Sequence, residues 1–282
     1  MKTKRLIILG SGGFISGYLE KILISKNKKY IGIKRKKIDL LNLKNIKKLK
    51  KIIRPTDDVF FIAARAPVKN ISMFDENLKM IINFCKFFDD SRINRIIYLS
   101  SDAVYSDSNK ALIESSLTQP NNWHGLMHYA REQIIKNNFS KRKILILRPT
   151  LVYGKNDPHN GYGPNKFIRL IKNNEDVYLF GKGEELRDHI HIYDVVKIIY
   201  YSIVKNITGE YTLATGSVIS FYDIANIIKK TYKSKSKIKF KKRVGKMPHG
   251  GYRSFDITKL RNKFKKFNFI KIKDKNKNYL NV

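Results

Sequence analysis

The chain has 282 residues and 58 Lys plus Arg against 23 Asp plus Glu, a formal charge of +35. That length fits one large α/β unit or two coupled domains, and 42% apolar with 12% aromatic residues suffices for a core and excludes a wholly disordered basic chain. No apolar run approaches the roughly 20 residues of a membrane helix; the richest is the short Val59-Phe60-Phe61-Ile62-Ala63-Ala64.

Residues 1–5 are basic, but the apolar stretch after them ends at Leu9 before glycines intervene, so no export signal is expected. The single cysteine, Cys85, excludes an intrachain disulfide and a cysteine-only metal site. A reducing cytoplasm is the expected compartment, with Cys85 as a small buried apolar residue. Of the basic residues 44 are Lys and 14 Arg, scattered among Ile and Asn from end to end as in Lys44-Asn45-Ile46-Lys47-Lys48. A nucleic-acid reader concentrates its cations on one face, so a solvated surface is expected instead, one that still attracts anionic small substrates.

Strand-length apolar runs at 5–9, 30–33, 59–62, 96–99 and 144–147 alternate with helical periodicity at 14–25, 43–53, 76–88 and 124–138, the pattern of a parallel sheet with helices on both faces. No internal repeat is visible. Past Arg148 the chain turns rich in Gly and Pro (Gly154, Pro158, Gly161, Gly163, Pro164, Gly181, Gly183), as where a sheet domain gives way to a smaller part covering a substrate. The Lys-rich segment 233–242 reads as an exposed strand or loop.

The first motif is Leu6-Ile7-Ile8-Leu9-Gly10-Ser11-Gly12-Gly13-Phe14-Ile15-Ser16-Gly17, a strand, a glycine turn and a helix start. Gly10 permits the tight turn, Gly13 lets backbone approach a pyrophosphate, and the helix N-terminus offers amide donors. Gly10-x-x-Gly13-Phe14-Ile15 resembles the opening of the extended short-chain dehydrogenase/reductases, the NAD-dependent epimerase/dehydratase family that acts on nucleotide sugars. The resemblance implies a Rossmann-type doubly wound parallel sheet with a smaller C-terminal substrate domain. It divides the chain into 1–155 plus about 192–215 for the dinucleotide and 156–191 with 216–282 for the substrate. Ser16 stands where that family has its third glycine, a departure expected to alter helix packing.

After the second strand the chain reads Ile33-Lys34-Arg35-Lys36-Lys37, with no acid to accept ribose hydroxyls. A cation such as Arg35 suits a 2′-phosphate, so NADP(H) is favoured and NAD(H) stays open. The resemblance extends the cofactor surface over Gly10, Ser11, Gly12, Gly13, Phe14 and Ile15, to the acidic pair position Asp39-Leu40, and to Ala63-Ala64.

Arg95-Ile96-Ile97-Tyr98-Leu99-Ser100-Ser101-Asp102-Ala103-Val104-Tyr105 is similar to the family's fourth-strand motif, whose catalytic hydroxyl maps onto Ser101. The family then expects Tyr-x-x-x-Lys on a helix. Aligning Gly125, Ala130 and Glu132 puts His124 at the Tyr position and His128 at the Lys position; an alternative register uses Tyr129 as the phenol. Neither contains the Lys. Spacing of four residues puts His124 and His128 on one helix face, and imidazole titrates near neutrality, so His124 could exchange a proton with a substrate oxygen while His128 supports it. No metal is expected at this pair.

Leu147-Arg148-Pro149 through Gly154, and above all residues 179–195 with Arg187-Asp188-His189-Ile190-His191, resemble the family again. The resemblance implies that Asn165, in the segment between them, meets the nucleotide, that Arg187 clamps the diphosphate, and that Arg253, in the late segment 247–256, covers the substrate phosphates. The implied function is NAD(P)-dependent epimerisation, dehydration or reduction of a nucleotide-activated sugar, in surface polysaccharide precursor synthesis. A non-catalytic dinucleotide-binding protein with a degenerate site is the alternative, and a basic nucleic-acid-associated protein of the same fold is a third. A homodimer is one assembly the sequence allows.

Overall fold

A computed structural model of the chain describes residues 4–265 and 267–274. Residues 1–3 of the basic start and 275–282 of the expected second domain lie outside the described residues. The strands, in chain order, are β1 (Leu6–Leu9), β2 (Tyr30–Ile33), β3 (Asp58–Phe61), β4 (Arg95–Leu99), β5 (Ile144–Pro149), β6 (Leu151–Tyr153), β7 (Val177–Phe180), β8 (Leu186–His191), β9 (Gly209–Leu213), β10 (Val218–Ser220), β11 (Ile238–Lys241) and β12 (Tyr252–Arg253). The helices are α1 (Phe14–Ser25), α2 (Leu43–Lys47), α3 (Ile71–Cys85), α4 (Trp123–Asn138), α5 (Pro164–Lys172), α6 (Ile192–Val204), α7 (Phe221–Tyr232) and α8 (Thr258–Lys263). No helix among them is long and apolar enough to cross a membrane.

Two units emerge. The first comprises the described residues of 1–106, 116–148 and 196–211; the second comprises those of 107–115, 149–195 and 212–282. The first unit is built on a six-stranded sheet of order β2-β1-β3-β4-β5-β9, with β1 parallel to both β2 and β3. The strand order therefore reverses at β1, the topological switch point at which a doubly wound α/β sheet opens a crevice at its carboxyl ends. This is the Rossmann-type arrangement expected from the sequence.

One sheet face packs Ile7, Val59, Phe61, Ile96, Tyr98 and Ile146 against α3 and α4 in a core that includes Met80, Phe84 and Ile135. The opposite face carries Arg95, a buried guanidinium bound to Asp58 and to the Ser202 and Ile207 carbonyls at the end of α6, where a cation complements the helix dipole.

Three expectations need correction. Helix α3 begins at Ile71, five residues before 76, because Asn70 caps it by accepting the Met73 amide at 3.0 Å. The helix expected over 43–53 is α-helical only to Lys47 and tightens into a 3-10 turn over Lys48–Lys51. Cys85 is half-buried at the core margin, and burial still pushes its thiol up to about 12. The Lys-rich segment 233–242 contributes β11, paired in parallel with β7.

The second unit has its own core of Tyr153, Phe167, Ile168, Leu179, Phe221, Ile224 and Ile228. Its larger sheet runs β10-β8-β12, with β6 also on β8. Helix α5 carries its apolar residues Phe167, Ile168 and Ile171 on the buried stripe.

Candidate functional site

The turn after β1 is fixed by backbone contacts. Gly10 and Ser11 donate to the Ile33 carbonyl at 3.1 and 3.2 Å, and the Ala63 amide donates to Leu9 at 2.8 Å. Gly10 has φ 103°, and a Cβ there would stand 2.7 Å from the Ala63 amide nitrogen, so only glycine fits. Ser16 replaces the family's third glycine productively: its buried hydroxyl accepts from the Gly13 amide and donates to the Gly10 carbonyl, both at 2.9 Å. The N-cap Gly13 has no side chain to accept from the first-turn amides of α1, so Phe14 and Ile15 sit at a helix start with the anion-attracting end of its dipole open to a ligand.

At the end of β2, Arg35 is largely exposed and pairs loosely with Asp39 at 3.9 Å, while Asp39 accepts the Leu41 amide at 3.0 Å and Leu40 is buried. It is Lys34 that lies over the glycine turn, with its Cε 3.2 Å from where a Gly12 Cβ would stand. The Glu20 carboxylate accepts the Gly12 amide at 3.3 Å, so an anion already satisfies one loop donor. Ala63 is half-buried and Ala64 exposed.

The second cluster lies where β4, β5 and α4 meet. Ser101 follows β4 and caps the 3-10 turn Asp102–Val104, its Oγ accepting the Ala103 amide at 3.1 Å. A Cβ on Gly125 would overlap the Ala103 carbonyl oxygen, so glycine is what lets the first turn of α4 press against the turn that Ser101 caps. His124 and His128 meet edge to face, with ring centroids 4.7 Å apart at 89°. His128 is buried, its Nδ1 is 2.7 Å from the Tyr98 hydroxyl, and burial, with help from His124 and Arg131, depresses its basicity well below that of free imidazole. Tyr129, one residue on and so about 100° round the helix, is half-buried and off this face.

Glu132, at the next position of the same face, is fully buried. It accepts from Ser100 Oγ at 2.5 Å and from Arg148 at 2.9 and 2.6 Å. Arg148 also reaches Glu210 at 2.6 Å and the Tyr105 hydroxyl at 3.0 Å. This network ties the ends of β4, β5 and β9 to α4. Sequence reasoning used Glu132 only to set a register and missed Tyr98, Arg131 and Arg148. A tyrosine within an apolar strand and an arginine within a helix carry no outward sign of a shared site, although a charged residue on the core side of the helical period is a signal.

In the second unit, Asn165 on α5 accepts the Gly154 amide at 3.0 Å and donates to Asp157. Arg187 on β8 and Arg253 on β12 are register partners, both nearly buried. Arg187 is bound to Glu185 and the Pro248 carbonyl. Arg253 lies 3.1 Å from His249 Nδ1 and 3.5 Å from Asp107. Arg243 shares Glu185 at 3.0 Å. Among the described residues, no group of three or more His, Cys, Asp or Glu side chains is placed to hold a metal ion.

The model of the NAD dependent epimerase/dehydratase family matches residues 6–214. Human (Homo sapiens) dTDP-D-glucose 4,6-dehydratase is 26% identical over 254 residues, covering 79% of this chain and 72% of the relative. The mouse (Mus musculus) protein of that name is 25% identical, covering 89% of this chain and 80% of the relative. Among solved structures, RMD from Pseudomonas aeruginosa complexed with NADPH superposes with a TM-score of 0.82 at 17% identity, covering 99% of this chain and 96% of that one. UDP-glucuronic acid 4-epimerase from Bacillus cereus, in complex with UDP-glucuronic acid and NAD, gives 0.79 at 21% identity over 99% and 98%. At these identities the structural likeness speaks to the fold.

Proposed function

This chain belongs to the NAD dependent epimerase/dehydratase family, and on that premise we propose that it uses a nicotinamide dinucleotide to oxidise, reduce, epimerise or dehydrate a nucleotide-activated sugar. The observation that carries the proposal is the glycine turn at the switch point: Gly10 pressed on Ala63 and an uncapped start of α1 form a cradle suited to a pyrophosphate. Such a dinucleotide, when bound, supplies the hydride acceptor or donor.

The chain's own residues do the rest. The amides of Phe14 and Ile15 hold the phosphates, and Lys34, lying over the turn, with Arg35 beyond it, favours a 2′-phosphate and hence NADP(H). Hydride transfer to or from a carbonyl carbon requires proton exchange at its oxygen. Ser101 positions that oxygen by hydrogen bonding, His124 exchanges the proton, and His128 supports it in place of the family's Lys. Asn165, Arg187 and Arg253 bind the nucleotide diphosphate, as guanidinium forks suit a dianion.

Titration calorimetry with NADPH and NADH, followed by turnover with UDP-, dTDP- and GDP-hexoses, tests the proposal. Submicromolar dinucleotide binding with turnover of one nucleotide class supports it. Binding without turnover of any would favour the non-catalytic alternative, which the missing Tyr and Lys motivate, and no dinucleotide binding would refute both.

A further inference from the structure

We infer that Arg131 and Tyr98 are positioning residues that hold His128 as a neutral imidazole with its proton on Nε2, so that the α4 face presents a fixed, uncharged donor where this family carries a lysine cation. The inference deepens the role proposed for α4.

The argument begins with Arg131. It is fully buried, and its guanidinium is satisfied by neutral acceptors alone: the Asn77 carbonyl at 2.9 and 2.6 Å, the Asn77 side-chain oxygen at 3.0 Å and the Ala63 carbonyl at 2.9 Å. It also lies over the Phe61 ring, 5.4 Å from its centroid. Among the described residues no carboxylate stands within ion-pair distance of it, so its charge is uncompensated in a medium that screens little. Asn77 is in turn anchored to the Arg65 amide and carbonyl and the Met73 carbonyl, which fixes the cation between α3, α4 and the end of β3.

The positive charge of Arg131 acts on the buried Tyr98 phenol electrostatically. The phenol's one proton needs an acceptor in this buried position. The acceptor within reach is His128 Nδ1 at 2.7 Å. An imidazole whose Nδ1 accepts carries its proton on Nε2. Were Nδ1 the donor instead, the buried phenol O–H would have no acceptor among the described residues.

The groups facing His128 are Tyr98 from β4, and His124, Arg131 and Glu132 from α4. The charge of Glu132 is taken up by Arg148 and Ser100. A second positive charge beside Arg131 is opposed by burial and by repulsion alike. The fixed positive charge on this part of α4 is thereby that of Arg131.

The test uses the full chain labelled with 15N-histidine and two-bond 1H–15N correlation spectra, with His128 assigned through His128→Gln. The parent is expected to show His128 with an unprotonated Nδ1 and a protonated Nε2, widely separated in 15N shift and unchanged from pH 5.5 to 8. In Tyr98→Phe the separation should collapse toward the averaged value of a tautomer mixture, with far-UV circular dichroism unchanged. Arg131→Gln serves as the second variant and should let His128 take up a proton at higher pH than in the parent. A parent His128 protonated on Nδ1 or charged at pH 7 would overturn the inference, as would an unchanged separation in folded Tyr98→Phe. The spectra need no ligand or turnover, so the outcome is independent of whether the proposed reaction occurs.

Discussion

Replacing Glu132 by Gln probes the joint that holds the candidate site together. The substitution keeps the side-chain shape and removes one negative charge from a position with no solvent exposure. Arg148, 1% exposed, then loses its two charge-assisted bonds at 2.9 and 2.6 Å and keeps Glu210, whose carboxylate is 31% exposed. Removing one partner of a buried pair typically costs about 3–5 kcal/mol, because the other charge stays buried; with Glu210 remaining, the lower end is expected. For a chain of this size, about 3 kcal/mol corresponds to a fall in Tm on the order of 10 °C. Urea unfolding followed by circular dichroism measures the change, and the pair Glu132→Leu with Arg148→Met should recover most of it, since apolar replacement of both partners removes the stranded charge. The Ser100 hydroxyl loses its 2.5 Å carboxylate acceptor as well, so Glu132→Gln should also perturb Ser101, the next residue. A loss below about 1 kcal/mol, or a double variant no more stable than the single, would refute the view of Glu132 as a buried hub.

Other perturbations test other joints. Gly125→Ala must push α4 off the Ala103 carbonyl and should cost about 1–3 kcal/mol while lowering turnover more than dinucleotide affinity, read by thermal unfolding and calorimetry. Combined Lys34→Ala and Arg35→Asp should reverse a preference for NADPH over NADH; equal affinities in the parent would remove the basis for that assignment. Arg187→Lys should weaken nucleotide-sugar binding with dinucleotide binding intact, because an ammonium cannot reproduce the fork.

Acid sensitivity gives a further check. His189 is buried, and burial drives its basicity down to about 3, against about 6.5 in the unfolded chain. The unfolded state therefore binds the extra proton first. Stability is lost as pH falls from about 6.5 toward 3, by at most on the order of 5 kcal/mol. His189→Leu should flatten that part of the pH–stability curve, and an unchanged slope in urea titrations at pH 7 and pH 4.5 would contradict the assignment.

The parallel sheet was legible because its strands are short apolar runs between amphipathic helices, and β2 and α1 fall where periodicity puts them. The start of α3 was not, since its signal is one Asn cap upstream of a stretch with weak apolar period. The glycine turn could be read from spacing, but the compensation by Ser16 could not: it depends on a hydroxyl reaching two backbone groups brought together only by the turn. The histidine pair followed from aligning Gly125, Ala130 and Glu132 with the family's motif, and its spacing of four put both on one face. Its partner Tyr98 comes from β4, and only packing brings that strand to α4, while the arginine cluster of the second unit gains carboxylates from Asp107 and Glu185, 78 residues apart in the chain.

The central claim, nicotinamide chemistry on a nucleotide sugar with His124 exchanging the proton, is tested most directly by mixing the protein loaded with oxidised dinucleotide with UDP-, dTDP- and GDP-hexoses and following reduced-nicotinamide absorbance. The account predicts a rapid absorbance rise with one nucleotide class in the parent and in Tyr129→Phe, and its loss in His124→Ala with dinucleotide affinity unchanged. An undiminished rise in His124→Ala with loss in Tyr129→Phe would contradict it, as would no rise with any sugar in a parent that binds dinucleotide tightly.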